Sequence, residues 1–182
     1  MTAKTTDDEK IISQMASRPE DGFRLLMAKY KVPVYWYIRR LVVGHDDAED
    51  VAQETFVRVF RSFEQFRGDC SLSSWIYRIA TNEALRFLSR GSERPYSLDD
   101  ETVHADRVMA DEYVDYSDAE AVKLQKAILS LPMKQQTAFT LRYYDEMSYD
   151  DIAAVINCSP ASAKVNYHIA KEKIIEYMNL ND

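Results

Sequence analysis

The chain has 182 residues, 46% hydrophobic and 29% charged, a composition that excludes a disordered protein. Four glycines and five prolines are too few for an all-β protein, and no apolar run reaches the length of a membrane span. The formal net charge of −7 argues against a nucleic-acid partner, unless the negative charge is confined to one part of the chain.

The charge is unevenly distributed along the sequence. Residues 1–90 carry 14 basic and 13 acidic side chains, residues 91–121 carry 2 and 10, and residues 122–182 carry 7 and 7. The whole negative balance therefore lies in residues 91–121, which also contain turn residues and little helical periodicity. We expect an acidic linker there, between a domain of residues 1–90 and a domain of residues 122–182.

Residues 1–90 predict four helices. Asp7 or Asp8 is expected to cap a short first helix, and Pro19 suits the first turn of a second. Apolar residues at helical spacing carry the second helix as far as Gly44, and Pro33 inside it predicts a kink or a break.

The third helix is predicted to begin at Asp46 and Asp47. Its polar residues away from the apolar face are Asp50, Gln53 and Glu54. Acidic residues at this end suit the helix dipole, but they also suit docking of a basic protein partner, and the residues alone leave both interpretations open.

A loop over residues 66–71 leads to the fourth helix, expected over about 73–90. Every fourth residue from Arg78 is polar, which places Arg78, Asn82 and Arg86 in one stripe. Arginines near aromatic residues are typical of single-stranded DNA binding. We expect Trp75 to be buried and the arginines to contact DNA rather than form a solvated face.

Residues 122–182 predict four more helices, over about 118–131, 133–144, 149–156 and 160–178. Ser148 with Asp151 resembles a capping box, Asn157 suits a left-handed helix end, and Ser159 with Pro160 suits the next start. Two capped helices joined by a short turn are typical of a helix-turn-helix, although a surface helix of a bundle has the same pattern. The outward residues of the second helix are the candidate DNA contacts.

These motifs resemble those of the extracytoplasmic-function sigma factors of bacterial RNA polymerase. Asp47-Ala48-Glu49-Asp50-Val51-Ala52-Gln53-Glu54, Phe66-Arg67-Gly68 and Ser74-Trp75-Ile76-Tyr77-Arg78-Ile79-Ala80-Thr81-Asn82 resemble sigma region 2. Leu129-Ser130-Leu131-Pro132 and Tyr149 to Ile156 resemble region 4. The resemblance implies an all-α protein: a region 2 bundle and a region 4 helix-turn-helix domain joined by the acidic linker.

The resemblance also implies site residues and partners. By this resemblance, Asp50, Gln53 and Glu54 would dock on the β′ clamp coiled coil of polymerase. The residues that would recognise and melt the −10 element are Arg67, Gly68, Asp69, Ser71, Ser73, Tyr77, Arg78, Asn82 and Arg86. The residues that would recognise the −35 element are Ser162, Lys164, Val165, Asn166, His168 and Lys171. The other implied partners are the β flap of polymerase and an anti-sigma factor, and the linker would thread polymerase channels.

Two rival interpretations remain. A free-standing LuxR-type regulator would explain the helix-turn-helix but leave the third and fourth helices without a role, and an adaptor would bind protein alone. We expect no catalytic site, cofactor or bound metal, because the sequence has no phosphate-binding loop, ligand cluster or nucleophile–base pair. The polar start and the two distant cysteines, Cys70 and Cys158, predict a cytoplasmic protein without a signal peptide or disulfide. We expect no membrane insertion, although an anti-sigma factor could hold the protein at the inner membrane.

Overall fold

A computed structural model describes residues 2–90, 92–101 and 118–180 of the chain. Over these ranges the regular structure is eight α-helices and one short 3₁₀ turn, Phe63–Gln65, without a β-strand. The helices are α1 Thr2–Ser17, α2 Pro19–Val42, α3 His45–Ser62, α4 Leu72–Ser89, α5 Ala119–Leu129, α6 Met133–Tyr143, α7 Tyr149–Ile156 and α8 Pro160–Leu180. None of them is long and apolar enough to cross a membrane. The predicted all-α class is confirmed.

Helices α1 to α4 pack around a core supplied by one apolar stripe from each helix. Leu26, Val34 and Ile38 of α2 are fully buried, as are Val59 of α3 and Ile76 of α4. The stripes follow the helical period, so each helix turns one apolar face to this core. The predicted burial of Trp75 is confirmed, because 8% of its surface is exposed.

Helix α1 is longer than predicted and begins differently. It starts at Thr2, so neither Asp7 nor Asp8 caps it. Oδ1 of Asp8 instead accepts hydrogen bonds from Nζ of Lys29 at 2.6 Å and from the hydroxyl of Tyr30 at 2.8 Å, both on α2. A carboxylate with two such donors on another helix gains more from that tertiary contact than from a cap.

Of the predicted kink or break at Pro33, the break does not occur. Helix α2 is assigned without interruption from Pro19 to Val42, with Pro33 on its exposed face. Proline in a helix loses one backbone hydrogen bond, but on an exposed face water can serve the freed carbonyl. Buried Tyr30, Val34 and Tyr37 anchor the helix on both sides of the proline.

Gly22 lies where α1 crosses α2. A Cβ atom at this position would lie 2.3 Å from the backbone nitrogen of Met15 and 2.6 Å from its Cα. Because the obstructing atoms are backbone, no side-chain rotation relieves the clash, and α1 must move.

We therefore expect Gly22→Ala to destabilise the protein. The clash should cost about 1–3 kcal/mol, which outweighs the gain of about 1 kcal/mol from replacing a helical glycine. Urea unfolding followed by circular dichroism measures the change. Ala28→Leu, at an exposed position of the same helix, should leave the midpoint unchanged. A Gly22→Ala variant as stable as the wild type would contradict the close packing of α1 on α2.

Helices α5 to α8 form the second half, at the predicted positions to within two residues. One cluster of its buried residues joins α5, α6 and α8: Ala127, Ile128, Leu131, Phe139, Ala170 and Ile174. Other buried residues of this half, including Leu141, Ile152 and Ile156, belong instead to the same hydrophobic cluster as the core of α1 to α4, and Leu129 of α5 packs against Val43, which follows α2. The two halves thus share one apolar core.

The part of the predicted linker that the structure describes is docked on the protein. Tyr96 is buried in the shared core, and its N–H donates to Oγ of Ser89 at 2.8 Å. Nζ of Lys134 on α6 lies 3.4 Å from Oδ1 of Asp99. Most of the acidic segment, residues 102–117, lies outside the described residues.

Candidate functional site

The outward face of α3 carries the residues predicted to dock polymerase. Asp50, Gln53 and Glu54 are all exposed. They lie opposite the buried side of the helix, which includes Ala48, Thr55 and Val59. A cluster of acidic side chains that neither packs in the core nor pairs across α3 is available to a basic partner.

The loop before α4 forms one wall of an open groove. Gly68 has φ +77°, a left-handed conformation that favours glycine, and a side chain there would meet no atom within 4 Å. Ser71 ends the loop as the N-cap of α4, accepting from the N–H of Ser74 at 3.1 Å. The groove has a volume of about 1230 Å³, and α1, α2, the loop and the turn before α7 all line it.

The predicted −10 residues differ in exposure. Arg67, Gly68, Asp69, Ser71, Asn82 and Arg86 are exposed, Ser73 and Arg78 are half-buried, and Tyr77 is buried. The stripe Arg78–Asn82–Arg86 on α4 is therefore accessible in large part, whereas Tyr77 lies in the shared core.

Tyr77 packs against Tyr37 of α2 and also contacts the second half of the chain. Its hydroxyl donates to Oδ1 of Asp145, in the turn between α6 and α7, at 2.8 Å. The hydroxyls of Ser71 and Ser74 each lie 3.0 Å from Oδ1 of Asp151 on α7. In this arrangement, carboxylates of the second half contact the loop and helix predicted to bind the −10 strand.

Further contacts tie α2 to the second half. The guanidinium of Arg40 lies 3.9 Å from the ring centroid of Tyr144, and Nε2 of Gln125 donates to the backbone oxygen of Arg40 at 3.2 Å. Burial raises the pKa of Asp145 above its usual range, while the bond from Tyr77 and the charge of Arg40 oppose that rise. Oδ2 of Asp145 is buried without a hydrogen-bond partner, so the charged carboxylate is incompletely compensated.

The helix-turn-helix has the local geometry that the sequence predicts. Oγ of Ser148 accepts from the N–H of Asp151 at 3.1 Å, Asn157 is left-handed with φ 52° and ψ 59°, and Ser159 accepts from the N–H of Ser162 at 3.1 Å. The predicted capping box is only half formed. The carboxylate of Asp151 accepts from Oγ of Ser148, not from a backbone N–H, and it also serves Ser71 and Ser74 of the first half.

The candidate recognition helix is α8. Its predicted contacts face outward at Lys164, Val165, His168 and Lys171, while Ser162 and Asn166 are half-buried. Nδ2 of Asn166 donates to the backbone oxygen of Ser162 at 2.9 Å. Ala163 and Ala170 are fully buried on the opposite face, so the outward side is presented as a recognition helix requires.

Sequence reasoning missed an ion pair beside the arginine stripe. Glu83, one residue after Asn82, is 6% exposed; Nε of Arg58 lies 2.6 Å and Nη1 of Arg86 3.4 Å from its Oε1. Glutamate is rarely buried unless it is paired. Glu83 and Arg86 are three residues apart on one helix, a spacing that predicts the Glu83–Arg86 pair but not the Glu83–Arg58 pair.

One trio of potential metal ligands occurs in the described residues. His45, Asp46 and Glu49 hold ligand atoms within 4.8 Å of one another, and all three are exposed in the first turns of α3. Acidic groups at a helix N-terminus are explained by the helix dipole alone.

Two family models match the chain, one in each half. The Sigma-70 region 2 family model matches residues 26–94, and the Sigma-70 region 4 model matches residues 121–174. The RNA polymerase sigma-H factor of Pseudomonas aeruginosa is 32% identical over 176 residues, covering 92% of this chain and 91% of that protein. The ECF RNA polymerase sigma-E factor of Escherichia coli is 30% identical, covering 92% of each chain.

Solved structures of similar fold cover nearly the whole chain. CnrH in complex with the cytosolic domain of CnrY matches with a TM-score of 0.74 and 22% identity, over 97% of this chain and 99% of that one. The sigma factor RpoE in complex with the anti-sigma factor NepR from Bartonella quintana matches with a TM-score of 0.66 and 22% identity, over 88% and 98%. These likenesses support the fold, and the sequence matches supply the family: the chain belongs to the extracytoplasmic-function sigma factors of bacterial RNA polymerase.

Proposed function

We propose that this sigma factor divides promoter initiation between its two halves. The first half holds core polymerase through the β′ clamp coiled coil and traps the opened −10 strand. The second half meets the β flap and reads the −35 element. The observation that carries this proposal is the pairing, on one small bundle, of an acidic outward face on α3 with an arginine stripe on α4. A LuxR-type regulator has no use for either surface.

The −10 strand is proposed to bind along the loop of residues 67–73 and the exposed side of α4. Flipping a base out of the stack costs a few kcal/mol, which must be repaid by phosphate contacts and by a pocket for the base. Arg78 and Arg86 supply cations for the phosphates. The loop forms one wall of the groove, and this wall remains for a base when α7 and its preceding turn leave.

The −35 element is proposed to bind the outward side of α8. Lys164, His168 and Lys171 offer hydrogen-bond donors, and Val165, 56% exposed, offers an apolar contact of the kind that thymine methyl groups accept. Because Ala163 and Ala170 are buried on the opposite side of α8, these residues face outward, toward the major groove of bound DNA.

The packed arrangement of the two halves is proposed to be the state of the free protein. Tyr77 then meets DNA only after the turn before α7 leaves it, and Ser71 must first release Asp151. Polymerase would hold the halves apart at the spacing of the two promoter elements, with the acidic linker following a basic path through the enzyme. Specific binding to promoter DNA therefore depends on polymerase.

A protein inhibitor is the proposed regulatory partner. Two proteins of similar fold were solved with partners, CnrH with the cytosolic domain of CnrY and RpoE with the anti-sigma factor NepR. We infer that an anti-sigma factor stabilises the packed arrangement of this chain in the cytoplasm. The chain itself is proposed to perform no covalent chemistry and to need no cofactor.

Run-off transcription tests the proposed function. Core polymerase is incubated with a genomic fragment library, with and without this protein, and transcripts that depend on the protein are mapped. Promoters that share two elements at a fixed spacing are the expected result. The absence of any dependent transcript would favour a LuxR-type regulator. A polymerase complex that fails to retain a −10 single-stranded oligonucleotide would favour an adaptor.

Arg86→Ala is expected to impair promoter opening more than initial binding. Losing a charge-assisted contact costs about 1.5 kcal/mol, or about tenfold in the open fraction. Permanganate reactivity of −10 thymines over a temperature series reports opening, and a gel shift at low temperature reports the closed complex. Equal losses in both measurements would contradict a role in melting.

A further inference from the structure

Glu83 is a buried carboxylate between two arginines from different helices. Arg58 projects from α3 and Arg86 from α4, and a nitrogen of each lies within 3.4 Å of the same oxygen, Oε1. The side chain of Glu83 is 6% exposed, whereas those of Arg58 and Arg86 are 46% and 51% exposed. The carboxylate therefore anchors two guanidinium groups whose outer sides face solvent.

The charge and geometry of this cluster favour an anionic ligand. One carboxylate balances one of the two arginines, so a full positive charge remains. Each guanidinium has five N–H donors in a fixed plane, of which only part can be turned toward Glu83. Oε1 of Glu83 has no hydrogen-bond partner among the described residues, so charge attraction rather than a hydrogen bond holds the two cations beside it. Two cations held side by side suit the oxygens of a phosphate.

The position of the cluster identifies the source of the phosphate. Arg86 is the last member of the stripe Arg78–Asn82–Arg86, and Arg58 extends that stripe from α4 onto α3. We propose that Arg58 and Arg86 together bind a backbone phosphate of the opened promoter strand, and that Glu83 is the positioning residue for both. This inference rests on the proposed function, since it assigns a further DNA contact to the same surface.

A salt titration with holoenzyme tests the assignment of Arg58. Polymerase reconstituted with wild type or Arg58→Ala is bound to a pre-opened promoter fragment taken from the run-off experiment, over a series of salt concentrations. Arg58→Ala should weaken binding about fivefold and reduce the slope of log K against log salt by about 1, because one phosphate contact is lost. Arg58→Lys should restore the slope and part of the affinity.

Arg24→Ala is the matched control. Arg24 also pairs with a carboxylate, that of Asp21 at 3.8 Å, but it lies on α2 and its side chain is 79% exposed. Its replacement by alanine removes the same charge as Arg58→Ala. Its salt slope should equal that of the wild type. An Arg58→Ala slope that also equals the wild type, in a folded variant, would overturn the phosphate site and leave only a structural ion pair.

A double-mutant cycle tests the role of Glu83. If Glu83 positions Arg58, the fivefold effect of Arg58→Ala should shrink to less than about twofold in a Glu83→Gln background. Equal effects in both backgrounds would overturn the positioning role. Wild-type holoenzyme that fails to bind the fragment at all would instead refute the proposed function, so the two failures are distinguishable.

Discussion

Glu54→Lys is expected to weaken binding to core polymerase about a hundredfold, because an inverted charge facing a basic surface costs several kcal/mol. Asp50→Lys should act in the same way. Both residues are exposed on the side of α3 opposite its core, so the variants should unfold at the wild-type temperature. Affinity is measured by fluorescence anisotropy with labelled sigma factor, and stability by thermal unfolding.

Glu176→Lys is the control that shows whether the effect of Glu54→Lys depends on the position of the charge or only on the total charge. Glu176 is exposed on α8, and the substitution changes the total charge of the protein by the same amount. It should bind polymerase like the wild type. If Glu54→Lys retains wild-type affinity, the acidic face of α3 serves only to complement its helix dipole, and polymerase docks elsewhere.

Asp145→Arg is expected to separate the two halves of the free protein. The substitution replaces the acceptor of the Tyr77 hydroxyl by a cation next to Arg40. Removing one partner of a buried polar contact and adding a like charge costs about 3 kcal/mol, which raises the open population about a hundredfold. Asp145 is not among the predicted DNA or polymerase contacts, so those surfaces remain intact.

Small-angle scattering and oligonucleotide binding measure this opening. The radius of gyration should rise, and the free variant should retain a −10 single-stranded oligonucleotide that the wild type does not. Asp150→Arg, an exposed position in the first turn of α7 with the same charge change, should resemble the wild type. A folded Asp145→Arg protein with an unchanged radius would show that this contact does not hold the halves together.

Local patterns predicted much of the fold. Helices α6 and α7 begin where the sequence predicts, and the turn at Asn157 has the predicted left-handed geometry, because caps and turns depend on neighbouring residues. Apolar spacing likewise predicted the burial of Trp75.

Several features that the sequence did not predict involve partners distant in sequence. Asp8 does not form the predicted helix cap, because its carboxylate accepts hydrogen bonds from Lys29 and Tyr30 of another helix. Tyr77 stays a predicted DNA contact, but its hydrogen bond to Asp145 of the second half is not visible in local spacing. Local spacing did not disclose Glu83 either, since its burial depends on Arg58 from α3. The choice of partner for a polar side chain is set by tertiary packing, which periodicity does not encode.

The shared apolar core has a thermodynamic consequence for every partner of this protein. If only the open form binds polymerase, the apparent dissociation constant equals the intrinsic one divided by the open fraction. A ligand that binds the closed form alone then opposes polymerase by mass action, even from a site that never touches α3. On that condition, substitutions at Ile152 or Ile156, which are buried in the shared core, would change the apparent affinity for polymerase without touching α3.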